Sequence, residues 1–101
     1  MPQPNIKPMI ITEANINMPR MFKVIMHNDN ITEMDFVVEV LMDVFQKPRD
    51  AAVATMLDIH NKGTGIAGVY TYDIAVSKKI QTDRMASSRG FPLRLSLDAS
   101  D

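Results

Sequence analysis

Residues 21–35 read MFKVIMHNDNITEMD, a stretch that predicts a strand, a turn and the start of a helix. Its first seven residues are rich in β-branched, aromatic and other apolar side chains, which favour a strand. Because successive side chains of a strand point to opposite faces, one face is expected to carry Phe22, Val24 and Met26. Residues 28–30 all favour turns and end the strand.

The helix after this turn is the clearest element of the chain. We expect it to begin at Thr32, whose side-chain oxygen can accept hydrogen bonds from the first free amides, while Asp35 completes something close to a capping box. Its apolar residues repeat at helical spacing, at Phe36, Val37, Val40, Leu41, Val44 and Phe45. Pro48 prevents the helix from continuing.

Two further helices are predicted downstream. The second spans about residues 50–61, with Asp50 as its N-cap and Gly63 as its C-terminal stop. Its apolar face, at helical spacing, consists of Val53, Met56, Leu57 and His60. The third spans roughly residues 72–88, is less clearly amphipathic, and is followed by Gly90.

Two shorter strands complete the pattern. Residues 65–70 include Gly65 and Gly68, so this strand is expected to be bulged or closely packed. Residues 93–97 alternate apolar and polar side chains, as a half-buried strand does. The predicted order is β-α-α-β-α-β. Its simplest closure is an α+β fold, a three-stranded antiparallel sheet with three helices on one face.

The chain has 101 residues, enough for one domain with a modest core. Its first 19 residues contain four of the prolines, Pro2, Pro4, Pro8 and Pro19. Proline suits neither the interior of a helix nor a sheet ladder. We therefore expect residues 1–19 to form a flexible N-terminal tail and residues 20–101 to form the core domain.

The composition argues against several classes of function. The formal net charge is −1, so no basic surplus favours nucleic acid or an anionic membrane. No apolar run approaches the roughly 20 residues of a membrane span, and the start lacks the pattern of a signal peptide. The absence of cysteine excludes a disulfide, a thiolate metal site and a cysteine nucleophile. Without a nucleotide-binding glycine motif or a serine nucleophile elbow, we expect neither an enzyme nor a cofactor.

Two segments carry candidate functional residues. Residues 27–34 place polar side chains between a strand and a helix start, where they could serve the turn alone. Residues 56–60 place His60 on a helix, where a histidine is often only a residue at the edge of the core. A metal site of His27, Asp29 and His60 is a weaker alternative, because the usual short spacing between ligands is missing. A small hydrolase is weaker still, because no nucleophile completes a triad.

These two segments and their surroundings resemble the ClpS adaptor family. The resemblance rests on residues 22–29, on Thr32 and Met34, on residues 36–41, 56–57, 59–60, 62–63 and 68–71, and on Lys78, Pro92 and Leu93. It covers residues 21–97, nearly all of the predicted core domain.

The resemblance implies an adaptor of the N-degron pathway. Members of the family bind proteins whose first residue is Phe, Tyr, Trp or Leu. They deliver these proteins to the AAA+ unfoldase of the Clp protease by docking on its N-terminal domain. By resemblance, the chain is a monomer of the bacterial cytoplasm, or of the plastid stroma if a transit peptide has been removed. The tail before residue 20 would feed the unfoldase during delivery.

The resemblance also implies roles for individual residues. The α-amino group of the substrate would be surrounded by Asn28, Asp29, Asn30 and His60. The first side chain would enter a pocket lined by Ile31, Thr32, Met34, Val37, Met56, Ile59 and Leu93. Met34 would act as a gate against β-branched first residues. The unfoldase would dock at Asp73 and Lys78, and no metal or cofactor is implied.

One departure from the family pattern bears directly on the site. Asn30 stands where most relatives carry aspartate, so the α-amino site loses a full negative charge. We expect weaker binding or a narrower set of first residues. The same departure favours an alternative function, that of a ClpS-like regulator that docks on the unfoldase and inhibits other substrates without reading N-termini.

Overall fold

The computed structural model describes residues 19–100, so the expectations for residues 1–18 lie outside the described residues. The elements follow in chain order as β1 (Met21–His27), α1 (Met34–Asp43), α2 (Arg49–Lys62), β2 (Thr64–Thr71), α3 (Tyr72–Arg89) and β3 (Arg94–Ala99). The predicted order and the α+β class are therefore confirmed. Among the described residues, no helix is both long enough and apolar enough to cross a membrane.

The three strands form one antiparallel sheet in the order β2-β1-β3, with β1 in the middle. Val24 of β1 pairs with Gly68 of β2, whereas the next residue, Ile25, pairs with Ile66. Ala67 is thus an extra residue on β2 and forms a β-bulge. The expected irregularity of this glycine-containing strand is confirmed.

The helices cover one face of the sheet. On that face Val24 and Met26 are fully buried, as the alternation along β1 predicts. The opposite face is open and exposes Ile66 and Val69. The core is filled mainly by α1, whose buried residues are Phe36, Val37, Val38, Val40 and Leu41.

The start of α1 differs from the expectation. The helix begins at Met34, its N-cap residue is Glu33, and no side chain caps it. The hydroxyl of Thr32 instead donates to the Asp29 carboxylate, at 2.8 Å. The predicted capping by Thr32 and Asp35 is therefore wrong, because Thr32 lies one residue before the N-cap, inside the turn that the Asp29 carboxylate organises.

The start of α2 also lies elsewhere than expected. The helix begins at Arg49, and Pro48 occupies the N-cap position with φ −64°. Asp50 is therefore inside the first turn, and its prediction as the N-cap is wrong. A carboxylate in this turn still interacts favourably with the positive end of the helix dipole.

The core-facing side of α2 is rotated from the predicted one. Ala52 and Ile59 are buried, whereas Leu57 is 45% exposed and His60 is also exposed. Adjacent residues lie about 100° apart around a helix, and burial of an apolar Ile59 is favoured over burial of a histidine. The predicted apolar face is thus wrong for Leu57 and His60. The rotation leaves His60 at the surface.

The predicted ends of α2 and α3 are confirmed. Gly63 follows α2 with φ 94°, and its amide donates to the Ile59 carbonyl. Gly90 follows α3 with φ 74°. Glycine adopts this left-handed conformation without steric cost, which makes it the usual residue just after a helix.

Candidate functional site

A cavity of about 230 Å³ opens beside the turn that joins β1 to α1. Its walls come from this turn, from α1 and α2, and from the segment before β3. The lining residues are His27, Asn28, Asp29, Asn30, Thr32, Met34, Val37, Met56, Ile59, His60 and Leu93. Every residue predicted for the α-amino site or the side-chain pocket lines this cavity except Ile31. That side chain lies outside the cavity and is 65% exposed.

The interior of the cavity is apolar. Val37 of α1, Ile59 of α2 and Leu93 ahead of β3 are each at most 6% exposed and form its inner walls. Met34, by contrast, is 43% exposed and lies where the cavity meets solvent. Such a hollow can take up an aliphatic or aromatic side chain, whose burial contributes roughly 1.5–3 kcal/mol.

The rim of the cavity is polar. It carries the exposed side chains of Asn28, Asn30 and His60. In the part of the chain that the structure describes, none of these three has a side-chain hydrogen bond or an ion pair. The backbone amide of Asn28 donates to the Gly63 carbonyl at 2.9 Å, which ties the turn to the end of α2 that carries His60. The rim therefore presents amide oxygens and imidazole nitrogens that can still accept hydrogen bonds.

Asp29 also lines the cavity, but its carboxylate organises the turn. One oxygen accepts from the amides of Ile31, at 2.8 Å, and Thr32, at 2.7 Å, and the other accepts from the Thr32 hydroxyl. Partial burial by itself raises the pKa of Asp29. The three hydrogen bonds together outweigh that effect and leave the pKa below its ordinary value of 3.8. The charged carboxylate thus fixes the backbone that holds the rim.

His27 lines the cavity although the sequence did not assign it to the pocket. It is the last residue of β1, and its Nε2 shares a hydrogen bond of 2.8 Å with the Ser96 hydroxyl on β3. A sequence signal for it existed, because it directly precedes Asn28 and the end of a strand borders the loop that follows. The bond to Ser96 holds this ring against the sheet.

The metal alternative finds no support in the geometry. Among residues 19–100, no three His, Cys, Asp or Glu side chains lie close enough together to hold a metal ion. His27 is bonded to Ser96, and Asp29 is engaged by its own turn. His27, Asp29 and His60 therefore do not form a metal centre.

The two residues predicted to dock the unfoldase lie on α3, which does not line the cavity. Asp73 is exposed in the first turn of the helix. Lys78 is half-buried, and its ammonium donates to the Val44 carbonyl at 2.7 Å and to the Gln46 side-chain oxygen at 3.1 Å. The two residues thus differ, because the charge of Lys78 is already engaged at the end of α1.

Comparisons with known proteins point to a protease adaptor. The model of the family ATP-dependent Clp protease adaptor protein ClpS matches residues 17–96. The chain is 52% identical over 86 residues to the ATP-dependent Clp protease adapter protein ClpS of Syntrophus aciditrophicus, which covers 85% of this chain and 80% of that protein. It is also 52% identical over 82 residues to the protein of the same name from Acetivibrio thermocellus, covering 81% of this chain and 83% of the relative.

A solved structure shares the fold. It is the structure of Agrobacterium tumefaciens ClpS2 bound to L-phenylalaninamide, with a TM-score of 0.78 and 30% sequence identity. The similarity covers 82% of this chain and 100% of that chain. The sheet and helices described above are thus similar to those of that protein.

Proposed function

The chain belongs to the ClpS family, the adaptors of the ATP-dependent Clp protease, and we propose that it binds N-degron substrates by their free N-terminal Phe, Tyr, Trp or Leu. It delivers them for degradation to a Clp AAA+ unfoldase by docking on the N-terminal domain of that enzyme. The protein acts by binding, without catalysing a reaction. The cavity beside the β1–α1 turn is its recognition site.

The observation that carries the proposal is the combination of unpartnered acceptors at the rim with apolar walls inside. A free N-terminus offers an ammonium group with three donors beside its first side chain. The amide oxygens of Asn28 and Asn30 and a neutral nitrogen of His60 accept those donors. Each hydrogen bond to a charged group contributes about 1.5–3 kcal/mol. After the costs of association, a dissociation constant on the order of micromolar follows.

The size of the cavity supports an aromatic or large aliphatic first residue. Its volume of about 230 Å³ exceeds that of an apolar protein cavity of roughly 150 Å³ that takes up benzene. The ligand of the related ClpS2, L-phenylalaninamide, has a free α-amino group next to an aromatic side chain. In this chain, an α-amino group would fit the polar rim of the cavity, and an aromatic side chain would fit its apolar inner walls.

Met34 gives the site a means of selecting the shape of the first residue. It is 43% exposed at the mouth of the cavity, next to the rim. A side chain that branches at Cβ is widest near the backbone, where it meets Met34, whereas Phe and Leu widen only deeper in the pocket. The flexible thioether of methionine adapts to rings of different shape. Ile and Val are therefore rejected as first residues.

The docking surface is proposed on α3, away from the cavity. Asp73 is exposed there and offers a carboxylate to the unfoldase. Lys78, whose ammonium is bonded to the end of α1, contributes through the position of α3 as well as through its charge. Docking on this side leaves the cavity open to a substrate, as delivery requires.

A peptide-binding experiment tests the proposal. Fluorescence anisotropy is measured with peptides that begin with Phe or Leu, with an N-acetylated form of the Phe peptide, and with a peptide that begins with Ile. We expect binding only for the free Phe and Leu ends, because acetylation removes the ammonium and Ile meets Met34. Equal affinity for the acetylated peptide would overturn the proposal.

Asn30 favours a second candidate function, that of a regulator that docks on the unfoldase without reading N-termini. Its side chain is neutral, so the rim lacks the full negative charge that a carboxylate would supply there. The variant Asn30→Asp separates the two functions. If the chain reads N-termini, the added charge should tighten binding of the Phe peptide about fivefold, as a nearby charge in a solvated site contributes about 1 kcal/mol. A regulator would not bind the peptide with Asn30 in place, and binding gained only on the substitution would support that second function.

A further inference from the structure

Gly65 lies behind one wall of the cavity. A Cβ built on this residue would lie 2.7 Å from Ile59 Cγ1 and 3.3 Å from the Thr55 carbonyl oxygen. Gly65 does not itself line the cavity, whereas Ile59 does. At Gly65, β2 therefore has no room for a side chain beside Ile59, a residue that lines the site.

The backbone conformation of Gly65 does not require glycine. The glycines with positive φ among the described residues are Gly63 and Gly90, and an added Cβ on either would meet no atom within 4 Å. Gly65 shows the reverse combination, an ordinary φ and tight surroundings. Glycine is thus required at this position because Ile59 occupies the space of a side chain, and not because the backbone conformation demands it.

Ile59 has little freedom to move away from a larger neighbour. It is 3% exposed, and its branched Cβ restricts the rotation of its side chain. The Thr55 carbonyl belongs to the same helix and cannot move independently. A methyl group at Gly65 would therefore push Ile59 toward the open side, which is the cavity.

Met56, which also lines the site, is less constrained by its surroundings than Ile59. Met56 also lines a second cavity of about 500 Å³ between α1 and α2, so it has empty space behind it. Methionine is unbranched and adapts to its surroundings. The site therefore has a yielding wall at Met56 and a fixed wall at Ile59, and the fixed wall limits the depth of the pocket.

We infer that Gly65 is a positioning residue for specificity, which holds Ile59 back and so admits aromatic first residues. The inference rests on the proposed function, because it concerns the same pocket. It predicts that Gly65, on β2, determines the depth of the pocket without touching the ligand. Large rings should depend on this depth more than the shorter side chain of Leu does.

The substitution Gly65→Ala tests the inference through a ratio of affinities. We expect binding of a Phe-first peptide to fall about tenfold relative to a Leu-first peptide, the effect of one methyl-sized change in an apolar pocket. Adding Ile59→Val should restore much of the ratio, because the displaced side chain then lacks its terminal methyl. A purely structural role would weaken both peptides together and would not be rescued in this way.

Gly68→Ala provides a matched control. The same change on the same strand brings a Cβ within 2.5 Å of the Tyr70 hydroxyl, and Tyr70 does not line the cavity. This variant is expected to lower thermal stability while leaving the Phe-to-Leu ratio within twofold of the wild type.

The outcomes separate this inference from the proposed function. If the wild-type chain binds neither peptide, the proposed function is wrong. If it binds both, and folded Gly65→Ala keeps the wild-type ratio, the inference alone is wrong. Should Gly65→Ala not fold, the single variant Ile59→Val tests the same wall in the opposite direction. It should raise the affinity for a Trp-first peptide relative to a Leu-first peptide several-fold, and an unchanged ratio would refute the role of this wall.

Discussion

The two ends of α1 satisfy their polar groups in opposite ways. At the N-terminal end, Glu33 makes no side-chain cap, and the nearby rim side chain of Asn28 has no partner within residues 19–100. At the C-terminal end, the Val44 carbonyl accepts a hydrogen bond from Lys78, which lies 34 residues away in the sequence. We call the N-terminal end of α1 the open end, because side chains without partners lie there beside the cavity. We call the C-terminal end the closed end, because the side chain of Lys78 bonds to its Val44 carbonyl.

The two ends of α1 therefore have different roles, ligand binding at one end and stability at the other. Polar groups that are bonded within the protein contribute to its stability, whereas groups left unpartnered at a cavity are available to a ligand. We therefore expect substitutions of the unpartnered side chains at the open end to change peptide affinity. Substitutions of side chains that are bonded within the protein should change the free energy of unfolding. A large change in the free energy of unfolding on replacing an unpartnered side chain would contradict this separation.

The largest effect is expected from Asn28→Ala at the open end. Loss of one hydrogen bond to the substrate ammonium should weaken binding of a Phe-first peptide by about 10- to 100-fold, since such bonds contribute about 1.5–3 kcal/mol. The free energy of unfolding should change little, because the side chain has no partner among the described residues. Anisotropy titration and urea denaturation of the same preparation measure the two quantities. A large loss of stability with unchanged affinity would reverse the assignment.

The next effect is expected from Lys78→Met at the closed end. The ammonium bonds to Val44 and lies over the rings of Phe45 and Tyr70, at 5.9 and 5.2 Å from their centroids. Methionine keeps the length and apolar packing but removes the charge. We expect the free energy of unfolding to fall by about 2 kcal/mol, the scale of a lost bond to a charged group.

The peptide affinity of this variant serves as its control. Lys78 does not line the cavity, so a Phe-first peptide should bind Lys78→Met with the wild-type affinity. A variant that unfolded at the wild-type urea concentration would show that the bond to Val44 contributes nothing measurable.

A smaller effect concerns the turn that holds the open end. The pKa of Asp29 is lower in the folded chain than its ordinary value of 3.8. The stabilisation by its charged form is therefore complete above that value and is lost as the pH falls through the lower, folded pKa. Asp29→Asn should cost about 1.5 kcal/mol at pH 7, and this cost should shrink as the pH falls below 3.8 toward the lower, folded pKa. Urea denaturation across this pH range measures the difference.

Asp98→Asn is the matched control for the acid experiment. Asp98 is exposed on β3, and its side chain has no hydrogen-bond or ion-pair partner within the described part of the chain. Its substitution removes an unpartnered surface carboxylate and so controls for the loss of one negative charge. A pH dependence of Asp29→Asn equal to that of Asp98→Asn would contradict the role of the Asp29 carboxylate.

The sequence predicted the elements well where the signal is local. The apolar run of β1, the helical spacing of α1 and the glycines after α2 and α3 each determine their element with few competing arrangements. The cavity residues were found through a family resemblance whose motifs lie on the turn 28–32 and on α2. Their common location follows from the fold, in which the amide of Asn28 bonds to the residue that ends α2.

The errors arose where neighbouring residues could take the same role. Either Thr32 or Glu33 could precede the first turn of α1, and only the folded backbone starts the helix at Met34 with Glu33 before it. The face of α2 is similar, because both Ile59 and His60 could have pointed inward. The bond from Lys78 to Val44 joins residues far apart in the chain, so no local pattern indicates it.

The smallest effect sharpens the picture of the closed end. Gln46 follows α1 with φ 52°, in the left-handed region, and the amide of the next residue, Lys47, donates to the Leu41 carbonyl at 3.0 Å. Such a helix end usually carries glycine, because a side chain in this conformation costs roughly 1–2 kcal/mol. Gln46→Gly and Gln46→Ala both lose the bond from Lys78, so they differ only in backbone freedom. Gln46→Gly should be the more stable by about 1 kcal/mol, which is the steric cost reduced by the greater flexibility of unfolded glycine. Urea midpoints compare the two variants, and a more stable Gln46→Ala would mean that the left-handed residue is not strained. Peptide affinity should be the same in both, because this end of α1 is not the end that faces the cavity.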